Sequence, residues 1–497
     1  MRKLKIGWSE VDITPKKGVK IGLSGQFFER VTDEVESPIT VTALVIDNSE
    51  DYIINCACDL LEIGDNLNAL VKEKIAKETD INPDKIILSA IHTHTSYEYK
   101  EISEISPNSS HFFDYIKNLM PSDVKYEELS TSSEKLDPEI ALNFLVQKIF
   151  LAITTAWKNK DYGYIRNAFG RVAVGMCRRV CYKNGSALMW GDTNDENFEE
   201  LEAGNDNGLE LIYTYDKDKK LTGVVANLSC PAQVVEHRSF ISSDYWGKVK
   251  ENLRKEFGSG FFVLGLCSAA GDQCPRDMIR WVEPESYIDD PNIKRKDVIE
   301  RRADPSMFDV SGLKKVGKRV SNEILSVHED LDSEFISETE IKHKTINLKL
   351  PLRTVTNEEY QNAVNVINAF FEQNRNKTIN FDDNASIYVH IGTIARYELQ
   401  KTVNEFNNEI HIVKLGDVAI VTNPYELFLN YGNRIRARSR AKQTFIIQLA
   451  CGCKGYLPTA KAEKGSHYSA YVTSGYTGKF GGEILTEETI KNINELF

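Results

Sequence analysis

The chain has 497 residues, of which 41% are hydrophobic and 27% charged, a composition typical of a soluble globular protein. Its net charge of -12 argues against a nucleic-acid or anionic-membrane partner. No stretch reaches the ~18 consecutive apolar residues of a membrane span, and the N-terminus lacks an apolar run of signal-peptide length. Nine cysteines, mostly within apolar runs, indicate free thiols in a reducing compartment. We therefore expect a cytoplasmic protein.

The first ninety residues predict two strands, a helix and a further strand. Segments 42–48 and 52–61 are short apolar runs joined by a turn, as in buried strands. Residues 67–80 carry apolar side chains at i, i+3, i+4 and i+7, which predicts an amphipathic helix. The run at 85–92 predicts a strand that ends at His92. This order favours a parallel or mixed sheet, and open α/β sheets bind ligands at the carboxyl ends of their strands.

The rest of the chain continues the alternation of strands and helices. Residues 98–135 are polar and serine-rich and predict a lid or insertion, whereas 281–311 are charged and predict a surface excursion. Further predicted helices are 138–159, 244–258 and 357–374, predicted strands are 221–230, 261–269 and 341–353, and 411–424 predicts a hairpin. No repeat or linker divides the chain. We therefore predict one α/β domain over 1–497, with a mixed, largely parallel central sheet and flanking helices.

Two histidines end the strand predicted at 85–92, in the motif IHTHT (91–95). Side chains two apart in a strand project from the same face, so His92 and His94 should point together. Neutral imidazole is a common zinc ligand. Two histidines at a strand end are at least as often packed into the core, so this motif alone leaves both interpretations open.

Four later segments place polar, titratable residues in loops that follow predicted strands. These loops span 227–247, 264–277, 418–432 and 450–459. Their candidate site residues are Cys230, Glu236, His237, Asp244, Asp272, Cys274, Glu426 and Tyr456.

Five segments, taken in order, resemble the catalytic domain of the neutral/alkaline (non-lysosomal) ceramidase family. VDITP at 11–15 matches the family's opening stretch, and IHTHTSY at 91–97 is similar to its THTHSGP strand end. SAAGDQCP at 268–275 is similar to the family's N-x-G-D-x-S-P loop. PYELF at 424–428 is similar to its P-G-E-F helix start, and YLPT at 456–459 to its Y-I-T-T turn. The resemblance implies a divergent member that lacks the family's C-terminal immunoglobulin-like domain.

The resemblance also implies one catalytic zinc ion. His92 and Glu426 would be ligands, and Tyr456 would be an unusual phenolate-type ligand or a close neighbour. His94 would lie beside the metal and bind substrate or carry a proton, and Arg178 would be a substrate-binding cation. Nitrogen and oxygen ligands of this kind leave room for a water, whose pKa zinc lowers to about 7. That water could attack an amide or ester carbonyl.

The chain departs from the family at the second histidine ligand. NLSC at 227–230 is followed by Pro231, where the family has C-H-P-T. Either His237 supplies the imidazole or the Cys230 thiolate replaces it. We favour His237, because imidazole suits an open catalytic site and a buried cysteine is usually inert.

Two further departures concern catalysis and substrate. Cys274 stands where the family has serine, and it is a candidate nucleophile only if a nearby base generates its thiolate. A weak hydrogen-bonding role beside the metal is the interpretation we favour for Cys274. The family's glycine-rich lip is replaced by SYEY at 96–99, which predicts a substrate other than ceramide.

The leading hypothesis is a zinc-dependent hydrolase that cleaves an amide or ester bond of a soluble polar substrate. A second hypothesis is a metal-dependent lyase or deacylase acting on a sugar or uronate, with a small molecule or an oligosaccharide as partner. It assigns aromatic side chains and arginines to the substrate mouth: Tyr97, Tyr99, Trp190, Tyr245, Trp246, Tyr468, Arg178, Arg179 and Arg276. A third hypothesis is a binding protein whose metal site has decayed. A homo-oligomer is compatible with each of the three.

Overall fold

The structure is a computed structural model that describes residues 3–26, 28–100, 114–127, 134–279, 309–380, 383 and 386–497. The predicted lid at 98–135 lies partly outside the described residues, and most of the predicted surface excursion at 281–311 lies outside them. Within the lid, Ile116 and Val124 pack against Ile367, Phe371 and Ile391 in a small apolar cluster. That part of the predicted lid is therefore anchored to the domain.

Eight strands form the larger of two main sheets. They are β1 (Lys5–Asp12), β2 (Thr40–Asp47), β3 (Tyr52–Cys58), β4 (Ile86–Ala90), β5 (Asp161–Arg171), β6 (Gly208–Asp216), β7 (Leu221–Leu228) and β8 (Phe262–Cys267). The strand order is β8-β7-β6-β5-β1-β2-β3-β4. Only the outer pairs β7-β8 and β3-β4 are parallel among these neighbours.

The fold is mixed α/β, as predicted, but the prediction of a largely parallel sheet is only partly confirmed. Five of the seven neighbouring pairs in the larger sheet are antiparallel. The reason lies in the connections. Parallel strands need a long crossover, as the helices after β3 and β7 provide, whereas the short turns between β2 and β3 and between β6 and β7 permit only antiparallel hairpins.

The second main sheet has four strands in the order of the chain. They are β9 (Ile341–Pro351), β10 (Glu405–Leu415), β11 (Val418–Thr422) and β12 (Gln443–Ile447). The pairs β9-β10 and β10-β11 are antiparallel, and β11-β12 is parallel. The hairpin predicted at 411–424 is therefore confirmed as β10 and β11.

Helices cover the outer faces of the two sheets. Their bounds are α1 (Asp65–Glu78), α2 (Pro138–Lys158), α3 (Tyr245–Phe257), α4 (Asp309–Glu329), α5 (Asn357–Gln373), α6 (Tyr388–Leu399), α7 (Leu429–Arg438), α8 (Ala460–Gly465) and α9 (Lys479–Leu496). Short strands complete the description: Ile21–Gly22, Val31–Thr32, Lys125–Tyr126, Met176–Cys177, Arg179–Tyr182, Ala187–Met189, Phe198–Leu201, Gln273–Cys274, Thr378–Ile379, Glu426–Leu427 and Tyr456–Leu457.

Alternating side chains along the strands create separate apolar cores on the two faces of each sheet. In β2, Val41, Ala43 and Val45 pack towards α1 and α2, whereas Leu44 and Ile46 face the second sheet. The period of two along a strand produces this division. The result is a four-layer arrangement in which helices flank two stacked sheets.

Helix α2 is long and apolar enough, by length and composition alone, to cross a membrane. Half of its most apolar stretch is buried inside the protein. The buried side chains, Leu145 and Ile149 among them, pack on the larger sheet. A core helix of a soluble protein has the same properties, so this feature is weak support for a membrane span.

Candidate active site

The two histidines of IHTHT lie in a loop beyond the end of β4. The strand ends at Ala90, and His92 has a φ of 71°, in the left-handed region. The backbone carbonyl of Ser242 accepts hydrogen bonds from the hydroxyls of Thr93 (2.8 Å) and Thr95 (3.0 Å). The prediction that His92 belongs to the strand is therefore wrong, and the loop contacts, not strand alternation, orient the two imidazoles.

The two imidazole rings face each other through their Nε2 atoms. His92 Nδ1 donates to the Leu61 carbonyl and His94 Nδ1 donates to the Gly25 carbonyl, each at 2.9 Å. These bonds place the ring proton on Nδ1, so Nε2 is the unprotonated atom of each neutral ring. The two Nε2 atoms are 3.4 Å apart. Lone pairs at this separation repel each other unless a proton or a cation lies near both.

Glu426 and Tyr456 enter the site on two short paired strands. Glu426–Leu427 pairs in parallel with Tyr456–Leu457, with Glu426 directly opposite Tyr456. Glu426 Oε2 lies 3.4 Å from His92 Nε2. The sequence predicted Glu426 near the start of a helix, whereas α7 begins three residues later, at Leu429. A side chain on Gly271 would meet the Glu426 carbonyl at 2.2 Å, so the small-residue turn permits this close approach.

The Arg178 guanidinium contacts both Tyr456 and Glu426. Its Nη2 donates to the Gly271 carbonyl at 3.0 Å and to the Tyr456 hydroxyl at 3.3 Å, and lies 3.8 Å from Glu426 Oε2. Its Nη1 donates to Gln233 Oε1 at 3.1 Å. The side chain is buried, so its charge acts in a medium that screens it weakly.

Arg30 and Glu236 complete the site; Glu236 is one of the candidate residues in the polar loops, whereas Arg30 was not predicted from the sequence. Arg30 is fully buried and donates to the backbone carbonyls of Ser24, His94, Glu236 and Arg238. Glu236 Oε2 accepts from Gln233 Nε2 at 3.1 Å and lies 3.8 Å from His94 Nδ1. Glu236 stood in one of the polar loops noted above, but the Arg30 region carries no comparable sequence signal.

The electrostatics favour positive charge at His92 and disfavour it at His94. Burial opposes a charge on His92, but the Glu426 carboxylate outweighs burial and raises the pKa of its imidazole. Burial, with His92 and Arg30 nearby, lowers the pKa of His94 well below its ordinary value. Burial and Glu426 raise the pKa of the Tyr456 phenol well above its ordinary value. His94 is therefore a neutral proton acceptor and Tyr456 a protonated donor.

The donor set of this site fits a zinc ion. Two nitrogen or oxygen ligands of a tetrahedral zinc, each bound at ~2.0–2.1 Å, lie ~3.3–3.4 Å apart. The distances from His92 Nε2 to His94 Nε2 and to Glu426 Oε2 are both 3.4 Å. The carbonyl acceptors at both Nδ1 atoms are the partners that usually orient metal-binding imidazoles. His92 Nε2 therefore lies at zinc-ligand spacing from both the His94 nitrogen and the Glu426 carboxylate oxygen.

The two candidates for the missing histidine ligand point elsewhere. His237 Nε2 lies 3.4 Å from Asp309 Oδ1, at the start of α4. The Cys230 thiol donates to the Val174 carbonyl at 3.5 Å, and burial raises its pKa well above the ordinary value. The structure brings neither side chain together with His92 and Glu426. The preference for His237 is corrected: its ring faces the Asp309 carboxylate, whereas His94 faces His92.

Cys274 is fully buried and does not have the character of a nucleophile. Its thiol donates to the Arg276 carbonyl at 3.3 Å, and burial raises its pKa to about 12. A thiol with this pKa is almost wholly protonated at neutral pH, and the thiolate is the reactive form. This geometry is compatible with the weak hydrogen-bonding role favoured from the sequence and gives no support to the nucleophile alternative.

Most of the aromatic residues assigned to a sugar-binding mouth are in the core. Tyr97, Tyr99, Tyr245 and Trp246 are buried, and the guanidinium of Arg179 pairs with Glu202 at 2.9 Å. Only part of that set lies near the site. The rings of Tyr456 and Tyr468 have centroids 5.5 Å apart, and Arg178 and Arg276 lie 5.9 Å and 5.1 Å from the ring centroid of Trp190.

Comparisons with known proteins identify the fold. No protein-family model and no curated protein matches the sequence. The crystal structure of neutral ceramidase from Pseudomonas aeruginosa is similar over 100% of this chain and 75% of that chain, with a TM-score of 0.66 and 14% identity. A structure described as ceramidase complexed with C2 has the same coverage, a TM-score of 0.67 and 13% identity. The chain therefore has the fold of neutral ceramidase, as the five motifs predicted.

Proposed function

We propose that this protein is a metal-dependent hydrolase that cleaves an amide or ester bond. The observation that carries the proposal is the pair of Nε2 atoms of His92 and His94, 3.4 Å apart, with the Glu426 carboxylate 3.4 Å from the first of them. His92, His94 and Glu426 would hold one zinc ion, and Tyr456 would lie next to it. A zinc ion bound there supplies Lewis acidity to a carbonyl group and lowers the pKa of a water.

The protein's own residues supply the remaining steps. The protonated Tyr456 phenol can donate a hydrogen bond to a carbonyl oxygen as negative charge develops on it. Arg178 donates to the same phenol and keeps positive charge beside it. Glu236 is partly buried near His94, and burial raises the pKa of its carboxyl group. A carboxyl group with a raised pKa can return a proton to the leaving group.

We also propose a soluble substrate with a carboxylate or another anionic group close to the bond that is cleaved. Arg178 and Arg276 both lie beside the Trp190 ring near the site. Guanidinium groups recognise carboxylates through paired hydrogen bonds. An N-acyl amino acid has this chemistry, whereas a long-chain lipid amide does not. The burial of Tyr97, Tyr99, Tyr245 and Trp246 removes the main support for a sugar lyase.

The ligand set is tested by metal content. Purified His94→Ala and His237→Ala variants are compared with the wild type by elemental analysis after dialysis against a weak chelator. We expect His94→Ala to lose about one equivalent of zinc and His237→Ala to retain it. Loss of zinc from His237→Ala, with retention in His94→Ala, contradicts the assignment.

Activity is tested on matched acyl substrates. N-acyl amino acids, the corresponding neutral N-acyl amines and O-acyl esters are incubated with the zinc-loaded protein, and the released products are quantified. We expect hydrolysis that favours the anionic substrates and that Arg276→Met reduces this preference through KM. No hydrolysis of any acyl substrate by protein that contains zinc contradicts the proposed function.

A further inference from the structure

A second group of side chains with metal-ligating atoms lies in and beside the smaller sheet. Glu409 and His411 lie two residues apart on β10, and Cys451 follows β12. Glu409 Oε1 is 2.7 Å from His411 Nε2, Cys451 Sγ is 3.5 Å from the same nitrogen, and all three donor atoms lie within 4.8 Å of one another. None of these residues belongs to the candidate active site.

A chain of hydrogen bonds determines which nitrogen of His411 carries the proton. His343 Nδ1 donates to the Tyr52 carbonyl at 3.1 Å, so His343 Nε2 is an acceptor. That atom lies 2.8 Å from His411 Nδ1. The Thr345 hydroxyl donates to the Asp84 carbonyl and can therefore only accept from His411 Nδ1. His411 Nδ1 is thus the donor to both neighbours, and Nε2 of the neutral ring carries a lone pair.

That lone pair faces negative charge, which is unfavourable without a cation between them. Glu409 Oε1 also accepts a hydrogen bond from the Lys72 ammonium, so Glu409 is an ionised carboxylate. A neutral imidazole nitrogen and a carboxylate oxygen 2.7 Å apart are both acceptors. A buried metal ligand that is held by a second histidine has this arrangement.

The loop after β12 places the Cys451 sulfur against the ring. Cys451 has a φ of 56°, a conformation that residues with a side chain rarely adopt. Its backbone N–H donates to the Leu88 carbonyl at 2.8 Å, on β4 of the larger sheet. Zinc bonds of ~2.3 Å to sulfur and ~2.05 Å to nitrogen, at a tetrahedral angle, separate the two ligands by ~3.5 Å. The observed 3.5 Å matches this value.

We propose that Glu409, His411 and Cys451 form a second, structural metal site that binds a divalent cation of the zinc class. Sulfur, nitrogen and oxygen donors together favour zinc over magnesium or calcium. On binding, the Cys451 thiol releases its proton to solvent, and the thiolate and carboxylate together neutralise the 2+ charge. Glu409 would move outward by about 0.7 Å to reach ligand spacing. The ion would join β10 to the loop that contacts β4, and so would tie the two sheets together.

Cobalt(II) provides the test, because a thiolate bound to cobalt gives an intense near-ultraviolet charge-transfer band that nitrogen and oxygen ligands do not give. Cobalt chloride is titrated into the chelator-treated full-length protein and its variants. We expect the band in the wild type, in Cys453→Ser and in His92→Ala. We expect Cys451→Ser to abolish it, and His411→Asn to weaken cobalt binding at least tenfold.

The controls separate this site from the candidate active site and from a change in folding. Cys453→Ser removes a neighbouring thiol two residues away, and His92→Ala disables the other metal site. Circular dichroism establishes whether each variant is folded. Absence of the band in the wild type overturns the proposal irrespective of any variant, and so does a band that survives in Cys451→Ser. Loss of the band in His92→Ala would show that cobalt gives the band at the candidate active site, and this result would also overturn the proposal.

Discussion

Replacement of Gly25 by alanine tests whether the position of the His94 ring determines catalysis. The Gly25 carbonyl accepts the His94 Nδ1 hydrogen bond. A Cβ atom on Gly25 would lie 2.5 Å from that same nitrogen, whereas ordinary contact begins at 3.4 Å. The difference is 0.9 Å, so the imidazole must move by about this distance or the loop must open.

The expected effect on turnover follows from this displacement. A misplacement of about 1 Å in a catalytic constellation can cost about 10²-fold in rate. Gly25 has a φ of 96°, and the left-handed region costs an L-residue about 1–2 kcal/mol. We therefore expect Gly25→Ala to lower kcat/KM about a hundredfold and the free energy of unfolding by about 1–2 kcal/mol.

Gly18→Ala is the matched control for the backbone effect. Gly18 has a φ of 85°, and a Cβ atom there would meet nothing within 4 Å. Both variants should therefore lose a similar free energy of unfolding in urea titrations. Hydrolysis of the preferred acyl substrate should fall in Gly25→Ala alone. Equal kcat/KM values for the two variants would refute a role for the His94 position.

Three further predictions concern the site and the core. Arg178→Ala removes the donor to the Tyr456 hydroxyl and should lower kcat about 10²- to 10³-fold in steady-state assays, with Arg178→Lys recovering part of the loss; unchanged kcat contradicts the role. Because burial lowers the pKa of His94 well below its ordinary value, the unfolded chain binds the proton first as pH falls below about 6.5. Wild-type stability in urea should therefore decrease from pH 7 to pH 5 more than that of His94→Gln, and equal decreases count against the argument. Trp246 is fully buried, so Trp246→Ala should lower the free energy of unfolding by about 3–5 kcal/mol. Phe480, which is 72% exposed, provides the control. Phe480→Ala should change the free energy of unfolding by less than about 0.5 kcal/mol. Similar urea midpoints for Trp246→Ala and Phe480→Ala refute this ranking.

The order of elements could be predicted from the sequence because it depends on local patterns. The 3.6-residue period of α1 and the apolar runs of β3 and β4 were sufficient for the strand–helix–strand unit at the start of the chain. The direction of strand pairing was harder to predict from the sequence. Whether two adjacent strands run parallel depends on the path of the connection, so β1, β2 and β5 pair antiparallel without a clear signal in their composition.

The sequence by itself determined a set of candidate site residues, His92, His94, Glu426, Tyr456 and Arg178, which lie together in the structure. Only the tertiary structure decided how these side chains are oriented. His92 has a left-handed backbone conformation, and its ring faces His94. The His237 ring instead contacts the Asp309 carboxylate. The register of two short strands places Glu426 opposite Tyr456. Residue type and spacing encode local conformation and available donors, but the direction of a side chain in a loop depends on contacts with residues far away in the sequence, which only the packed chain provides.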